Sequence, residues 1–291
     1  MRFYCEDTLT TEDGARLWYA QLGEGDPPLV LCDGVGCDGA FWKYLAPELS
    51  ARHRVLRFHY RGHGRSGVPT DPSRVGVAWA ADDLDAIMAE AGIAKAVIVG
   101  HSMGAQVLFE FHRRHPERVL GLVPICGGYG NALDAVHDDT KIKLAFPLVH
   151  CLADLLPAVA RAFTRTLLPT EASLQYALTF EANRQLVHRE DMQAYFEHLA
   201  RMDPLVFLDT LQSAAEHTAW DHLGRVDVPT LIVAGDHDRF TPLWLSQRMH
   251  RAIPESELLV VRSGTHSAPI ELPELIALRI RRFLKERLPS F

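Results

Sequence analysis

No apolar run in the 291 residues reaches the roughly 18 that a bilayer-spanning helix needs, so no membrane span is expected. No block of like charge stands out either. Thirty Lys and Arg are interspersed with 37 Asp and Glu for a net charge of −7, which leaves no electrostatic footprint for nucleic acid. Cysteine is scarce: Cys5, Cys32, Cys37, Cys126 and Cys151 are odd in number, scattered and never spaced C-x-x-C. That argues against a disulfide framework or zinc knuckle and for reduced thiols. The opening Met1 to Asp7 carries acids where a signal peptide would place apolar residues, so a cytoplasmic location is expected. Internal repeats and low-complexity linkers are also missing. What is present, 47% hydrophobic and 23% charged residues, describes a globular chain of one or two domains.

Histidine is the one residue in surplus, at 15. The closest pairs are His59/His63, His112/His115 and His217/His222, but none forms H-E-x-x-H and none has an acid at a spacing that would close a metal site. No metal is expected, and one or two of these histidines at most should be chemical.

Periodicity divides the chain into three parts. A strand running to Thr10, an Asp13-Gly14 turn and a second strand, Ala15 to Ala20, read as an antiparallel hairpin. Alternation follows: strand Pro28 to Cys32, helix Gly39 to Ala51 with Asp38 as its cap, strand His53 to Phe58, and helix Val77 to Ala91 with Trp79, Leu84, Ile87 and Met88 on one stripe. Strand Lys95 to Val99, helix Gly104 to Arg114 and strand Val119 to Val123 continue it. From about Gly127 to Arg225 only helical patterns occur, interrupted at Pro147, Pro157, Pro169 and Pro204. Strand 230–234, helix Pro242 to Ile253, strand 257–261 and helix Pro273 to Leu288 then resume the rhythm. Strands alternating with helices predict a mostly parallel sheet covered on both faces. The simplest organisation is an α/β core, 1–126 and 226–291, with 127–225 inserted as an all-helical cap over the C-terminal edge of the sheet, where open α/β folds bind ligands.

Two glycine motifs compete for function. Gly34-Val35-Gly36-Cys37-Asp38-Gly39 fits the dinucleotide fingerprint G-x-G-x-x-G. However, the next strand ends at Phe58-His59-Tyr60-Arg61 rather than at the acid that binds ribose, which leaves only Arg61 to meet the 2′-phosphate of NADP. The second motif, Gly100-His101-Ser102-Met103-Gly104, is G-x-S-x-G at a strand-to-helix junction. Such a turn lifts the Ser102 hydroxyl clear of the sheet and leaves the Met103 N–H unpaired at a helix N-terminus, placed to stabilise an oxyanion.

A serine hydroxyl needs a base to attack at neutral pH, and the base needs an acid to fix its tautomer. Candidates follow the last two strands: Asp236 and Asp238 in Gly235 to Pro242, and His266 in Ser263 to Ser267. Asp238 is preferred to Asp236, since either fits a turn. The chain order is then Ser102, Asp238, His266. His101 is expected to pack beneath the turn, His63 to serve its glycine-rich loop, and the thiols of Cys37 and Cys126 to be buried without chemistry. Asp33 and Asp38 read as turn and capping residues.

With these residues in place the sequence resembles the α/β-hydrolase superfamily over nearly all of the chain outside the helical insertion. The family's R-G-x-G-x-S loop stands as Arg61 to Ser66, its G-x-S-x-G as Gly100 to Gly104, its G-x-x-D-x-x-x-P as Gly235 to Pro242, and its G-x-H as Gly264 to His266. The resemblance implies a mostly parallel eight-stranded sheet and maps the family's acid onto Asp238. It also implies a second oxyanion N–H from Val35, in a loop where the usual His-Gly stands here as Asp33-Gly34. The function expected is hydrolysis of small or medium apolar carboxylic esters through Ser102, His266 and Asp238, with no cofactor and with Phe146, Leu148, Leu152, Leu155, Phe163 and Leu167 either furnishing an acyl pocket or packing on one another. Lactonase, C–C bond hydrolase, thioesterase, cofactor-free haloperoxidase and acyltransferase chemistry use the same triad. A ligand receptor with vestigial hydrolysis is the alternative from another class, and homo-oligomerisation is left open.

Overall fold

The computed structural model describes residues 5–130, 140–180 and 182–288. Strand β1 (Cys5–Thr10) pairs antiparallel with β2 (Arg16–Leu22), the Asp13-Gly14 turn being closed by Gly14 at a φ of 82°. Six strands follow: β3 (Leu29–Cys32), β4 (Val55–Phe58), β5 (Ala96–His101), β6 (Val119–Ile125), β7 (Leu231–Gly235) and β8 (Glu257–Val261). They assemble with the hairpin into one eight-stranded sheet, ordered β1-β2-β4-β3-β5-β6-β7-β8, in which β3 to β8 run parallel.

Alternation within the strands supplies two cores. Leu29, Leu31, Val97, Val99, Leu231 and Val233 face one side, against α1 (Leu45–Ser50) and α12 (Pro273–Arg287). Val30, Ile98 and Ile232 face the other, against α2 (Val77–Glu90), α3 (Met103–Arg114) and α10 (Leu243–Ala252). Burial on both faces is why these strands read as short continuous apolar runs.

The sheet order also determines where ligands can sit. The chain runs from β3 outward to β4 and then returns to β5 on the opposite flank of β3, so the loops after β3 and β5 diverge from neighbouring strand ends, with Cys32 opposite Gly100. Such a switch point is where an open α/β sheet offers a crevice.

Between β6 and β7 lie α4 (Thr140–Leu155), α5 (Pro157–Leu167), α6 (Glu171–Phe180), α7 (Arg189–Arg201), α8 (Pro204–Glu216) and the short α9 (Trp220–Leu223). Two of the prolines that interrupt the pattern prove to start helices, Pro157 in α5 and Pro204 in α8, where a missing N–H costs nothing. Among the described residues of 127–225 the only strand-like pairing is one bridge, Gly130 to Thr218. The insertion rests on the loops at the C-terminal ends of β3 and β4: Asp191 accepts hydrogen bonds from Lys43 (2.5 Å) and the Tyr44 hydroxyl (2.8 Å), and Val206 packs on Gly62.

Two local expectations are corrected. The helix expected over 39–51 is a 3-10 turn, Ala40–Trp42, followed by α1, and Gly39 rather than Asp38 stands at its N-cap with no side-chain cap. The Asp38 carbonyl instead accepts from His59 Nε2 at 3.0 Å. Trp79 is only half-buried, and the guanidinium groups of Arg61 and Arg74 lie over its ring at 4.5 and 5.5 Å.

Candidate active site

Ser102 sits between β5 and α3 at φ 55°, ψ −118°, a region that costs a non-glycine residue about 1–3 kcal/mol. The flanking glycines are what allow so sharp a turn. A Cβ on Gly100 would lie 2.2 Å from the Gly104 carbonyl oxygen, and one on Gly104 would lie 2.2 Å from that of Cys32. The turn leaves the serine side chain partly open, facing the loop after β8.

That loop presents His266, whose Nε2 lies 3.0 Å from Ser102 Oγ. Its Nδ1 meets Asp238, 3.0 Å from Oδ2 and 3.2 Å from Oδ1. A carboxylate only accepts, so Nδ1 carries the proton and Nε2 is free to accept from the serine. Asp238 is buried. It accepts further hydrogen bonds at Oδ1 from the N–H groups of Phe240 (2.9 Å) and Thr241 (2.8 Å), and at Oδ2 from the Thr241 hydroxyl (2.6 Å). Burial opposes its charge, but His266 and these donors outweigh burial and hold the carboxyl below the usual range. Asp236 is exposed and lies outside this chain of hydrogen bonds.

The two oxyanion candidates meet in the same place. The loop after β3 presses so closely on the serine that a Cβ on Gly34 would be 3.1 Å from Ser102 Cβ. Neither the Val35 N–H nor the Met103 N–H donates to another described group of the protein. Leu199 of α7 and Phe207 of α8 close over this loop, so that a Cβ on Gly36 would fall 2.5 and 2.9 Å from their side chains.

The remaining residues singled out in the sequence have structural surroundings. His101 is fully enclosed: its Nε2 donates to the His266 carbonyl at 2.9 Å, its ring stacks on Phe41 with centroids 4.7 Å apart, and burial pushes it down to about 3. His63 is held neutral by burial, pushed down to about 4, and Nδ1 bonds the Arg61 carbonyl. Cys37 and Cys126 are buried, and burial raises both thiols well above their ordinary value. Arg61 cannot serve a 2′-phosphate. It is 3% exposed and engaged by Asp83 (2.7 and 2.8 Å) and Asp13 (2.7 Å), which removes the one group expected to meet that phosphate. The Asp33 carboxyl is buried near the Arg57 guanidinium, while its carbonyl accepts from the Tyr60 hydroxyl at 2.8 Å. Both oxyanion candidates are backbone N–H groups, so the His-to-Asp change in this loop removes neither.

Of the insertion residues expected to form an acyl pocket or to pack on one another, Leu148, Leu152, Leu155, Phe163 and Leu167 are 43–70% exposed among the described residues, and Phe146 is half-buried. Leu199 and Phe207 close over Gly36 in the loop after β3, and the Phe240 ring lies 5.0 Å from that of His266; sequence reasoning missed all three. For Thr241 the signal was present, since a Thr three residues after an Asp can return a hydrogen bond to it.

A family model described as the alpha/beta hydrolase fold matches residues 27–273. A protein of Azorhizobium caulinodans named as a carbamate hydrolase, RutD, is 26% identical over 90% of this chain and 92% of its own. Among solved structures, a thermophilic esterase from Thermogutta terrifontis superposes with a TM-score of 0.79 at 25% identity, covering 97% of this chain and 98% of its own. An enol-lactonase from Burkholderia xenovorans superposes with a TM-score of 0.76 at 20% identity, covering 96% and 100%, and shares the fold.

Proposed function

The chain belongs to the alpha/beta hydrolase fold family, and from that premise we propose that it is a serine hydrolase of carboxylic esters with small or medium apolar acyl groups. One observation carries the reading: the unbroken line Ser102 Oγ, His266 Nε2, His266 Nδ1, Asp238 Oδ2, with both links at 3.0 Å, beside two N–H groups that have no partner among the described residues. The names of the relatives, among them an esterase and a carbamate hydrolase, support hydrolysis at an acyl carbon.

In this reading His266 Nε2 takes the hydroxyl proton as Ser102 Oγ bonds to the carbonyl carbon, and the displaced electron pair settles on the carbonyl oxygen. The Val35 and Met103 N–H groups hold that oxyanion, and the buried Asp238 carboxylate stabilises the imidazolium. Collapse expels the alcohol, which takes the proton from His266. Water, deprotonated by the same nitrogen, then cleaves the acyl-enzyme and releases the acid. Residues 127–225 act as a cap, with Leu199 and Phe207 offering apolar surface to the acyl chain. No cofactor enters any step.

A series of p-nitrophenyl esters of increasing chain length, with carbamates and lactones alongside, tests class and substrate together. Turnover is expected with short and medium esters. Ser102→Ala should reduce it by about 10⁴-fold or more. Equal activity of that variant and the parent would overturn the assignment.

A further inference from the structure

Glu271, the last residue of α11 (Ala268–Glu271), is 5% exposed and has no cationic partner among the described residues. All its contacts are with donors: Oε1 accepts from the Thr265 hydroxyl (2.6 Å) and from the Asn183 N–H (2.7 Å), and Oε2 accepts from the Thr265 N–H (2.8 Å). Burial raises its carboxyl above the ordinary value, and the Asn183 and Thr265 donors pull against that rise. A buried carboxyl with no cation beside it is expensive to keep, so its presence five residues after His266 calls for a role.

The contacts point to that role. Thr265, fixed at both its N–H and its hydroxyl, immediately precedes His266, and its Oγ1 also accepts from the N–H of Ser267, which immediately follows (3.1 Å). Asn183 brings in the helical insertion, because its side-chain amide donates to the Ser263 carbonyl at 2.9 Å while its own N–H is held by Glu271. We propose that Glu271 is a positioning residue: it clamps the backbone on both sides of His266 through Thr265, and ties that segment to the insertion through Asn183, so that Nε2 keeps its alignment on Ser102. The proposal deepens the serine-hydrolase reading and rests on it.

Glu271→Gln keeps the shape but places an amide NH₂ against one of the donors. Relative to the parent, kcat on p-nitrophenyl acetate should fall about ten- to a hundredfold with KM within about twofold, because misalignment affects the chemical step more than binding. The far-downfield proton resonance of the His266–Asp238 hydrogen bond should shift or broaden with it. That signal needs no turnover, so it reports on Glu271 even if the parent cleaves no ester, an outcome that would count against the serine-hydrolase reading instead. Thr265→Val, which removes only the hydroxyl, should shift both readouts in the same direction by less, and it decides the matter if Glu271→Gln does not fold. An unchanged resonance with parent-like kcat, or a lowered Tm with undiminished kcat per folded molecule, would overturn the proposal.

Discussion

Asp238 and Asp236 lie two residues apart in one loop, and only their surroundings separate them. Asp238 is enclosed, accepts three local hydrogen bonds and meets His266, whereas Asp236 projects into solvent. Asp238→Asn is expected to lower kcat by about 10⁴-fold, because the amide stabilises the wrong imidazole tautomer. Asp236→Asn should stay within about twofold, and steady-state rates of the two variants on one ester decide between them. Asp33 yields a different prediction. Burial pushes its carboxyl from 3.8 up to about 7, against the opposing pull of Arg57. Because the folded chain holds that proton more tightly than the unfolded one, the stabilisation is complete below pH about 4 and is lost as pH rises to about 7. Asparagine has no such dependence. Whatever constant offset the loss of the Arg57 partner introduces, the Tm of Asp33→Asn relative to the parent should climb between pH 4 and 7 and level off above it. A difference that does not change with pH would show that Asp33 does not titrate in this range.

At the level of elements, the strands and long helices were legible because their burial is periodic: Leu84, Ile87 and Met88 recur at helical spacing, and the central strands are apolar on both faces. The short pieces were not. The segment 39–51 has the composition of one helix, but the loop after β3 must pass close beneath Ser102 and reverse at Gly36 and Gly39, both at positive φ, so tertiary contact overrides local propensity there. Ser102, Asp238 and His266 could be read because each follows a strand at a marked turn. Leu199, Phe207 and Glu271 carry no such mark. They approach the site through the packing of the insertion and α11, and sequence spacing does not encode which loop a helix will rest on.

For the whole molecule, the two sides of the sheet hold nearly all the large enclosed side chains, including Phe109, Phe111 and Phe283, while α4 and α5 leave Leu144, Leu148, Leu155, Val159 and Phe163 60–78% exposed. Stability follows area removed from water, so the two regions should respond differently to comparable substitutions. Phe283→Ala opens a cavity in the layer between the sheet and α12 and is expected to cost about 3–5 kcal/mol. Leu148→Gln and Phe163→Gln replace side chains that already face solvent, and should change the unfolding free energy by no more than about 0.5 kcal/mol. Equilibrium unfolding of the three variants measures this contrast. If the two exposed substitutions cost as much as the buried one, the outer insertion would have to be packed against something in solution, and size-exclusion chromatography with light scattering would show at once whether that is a second copy of the chain.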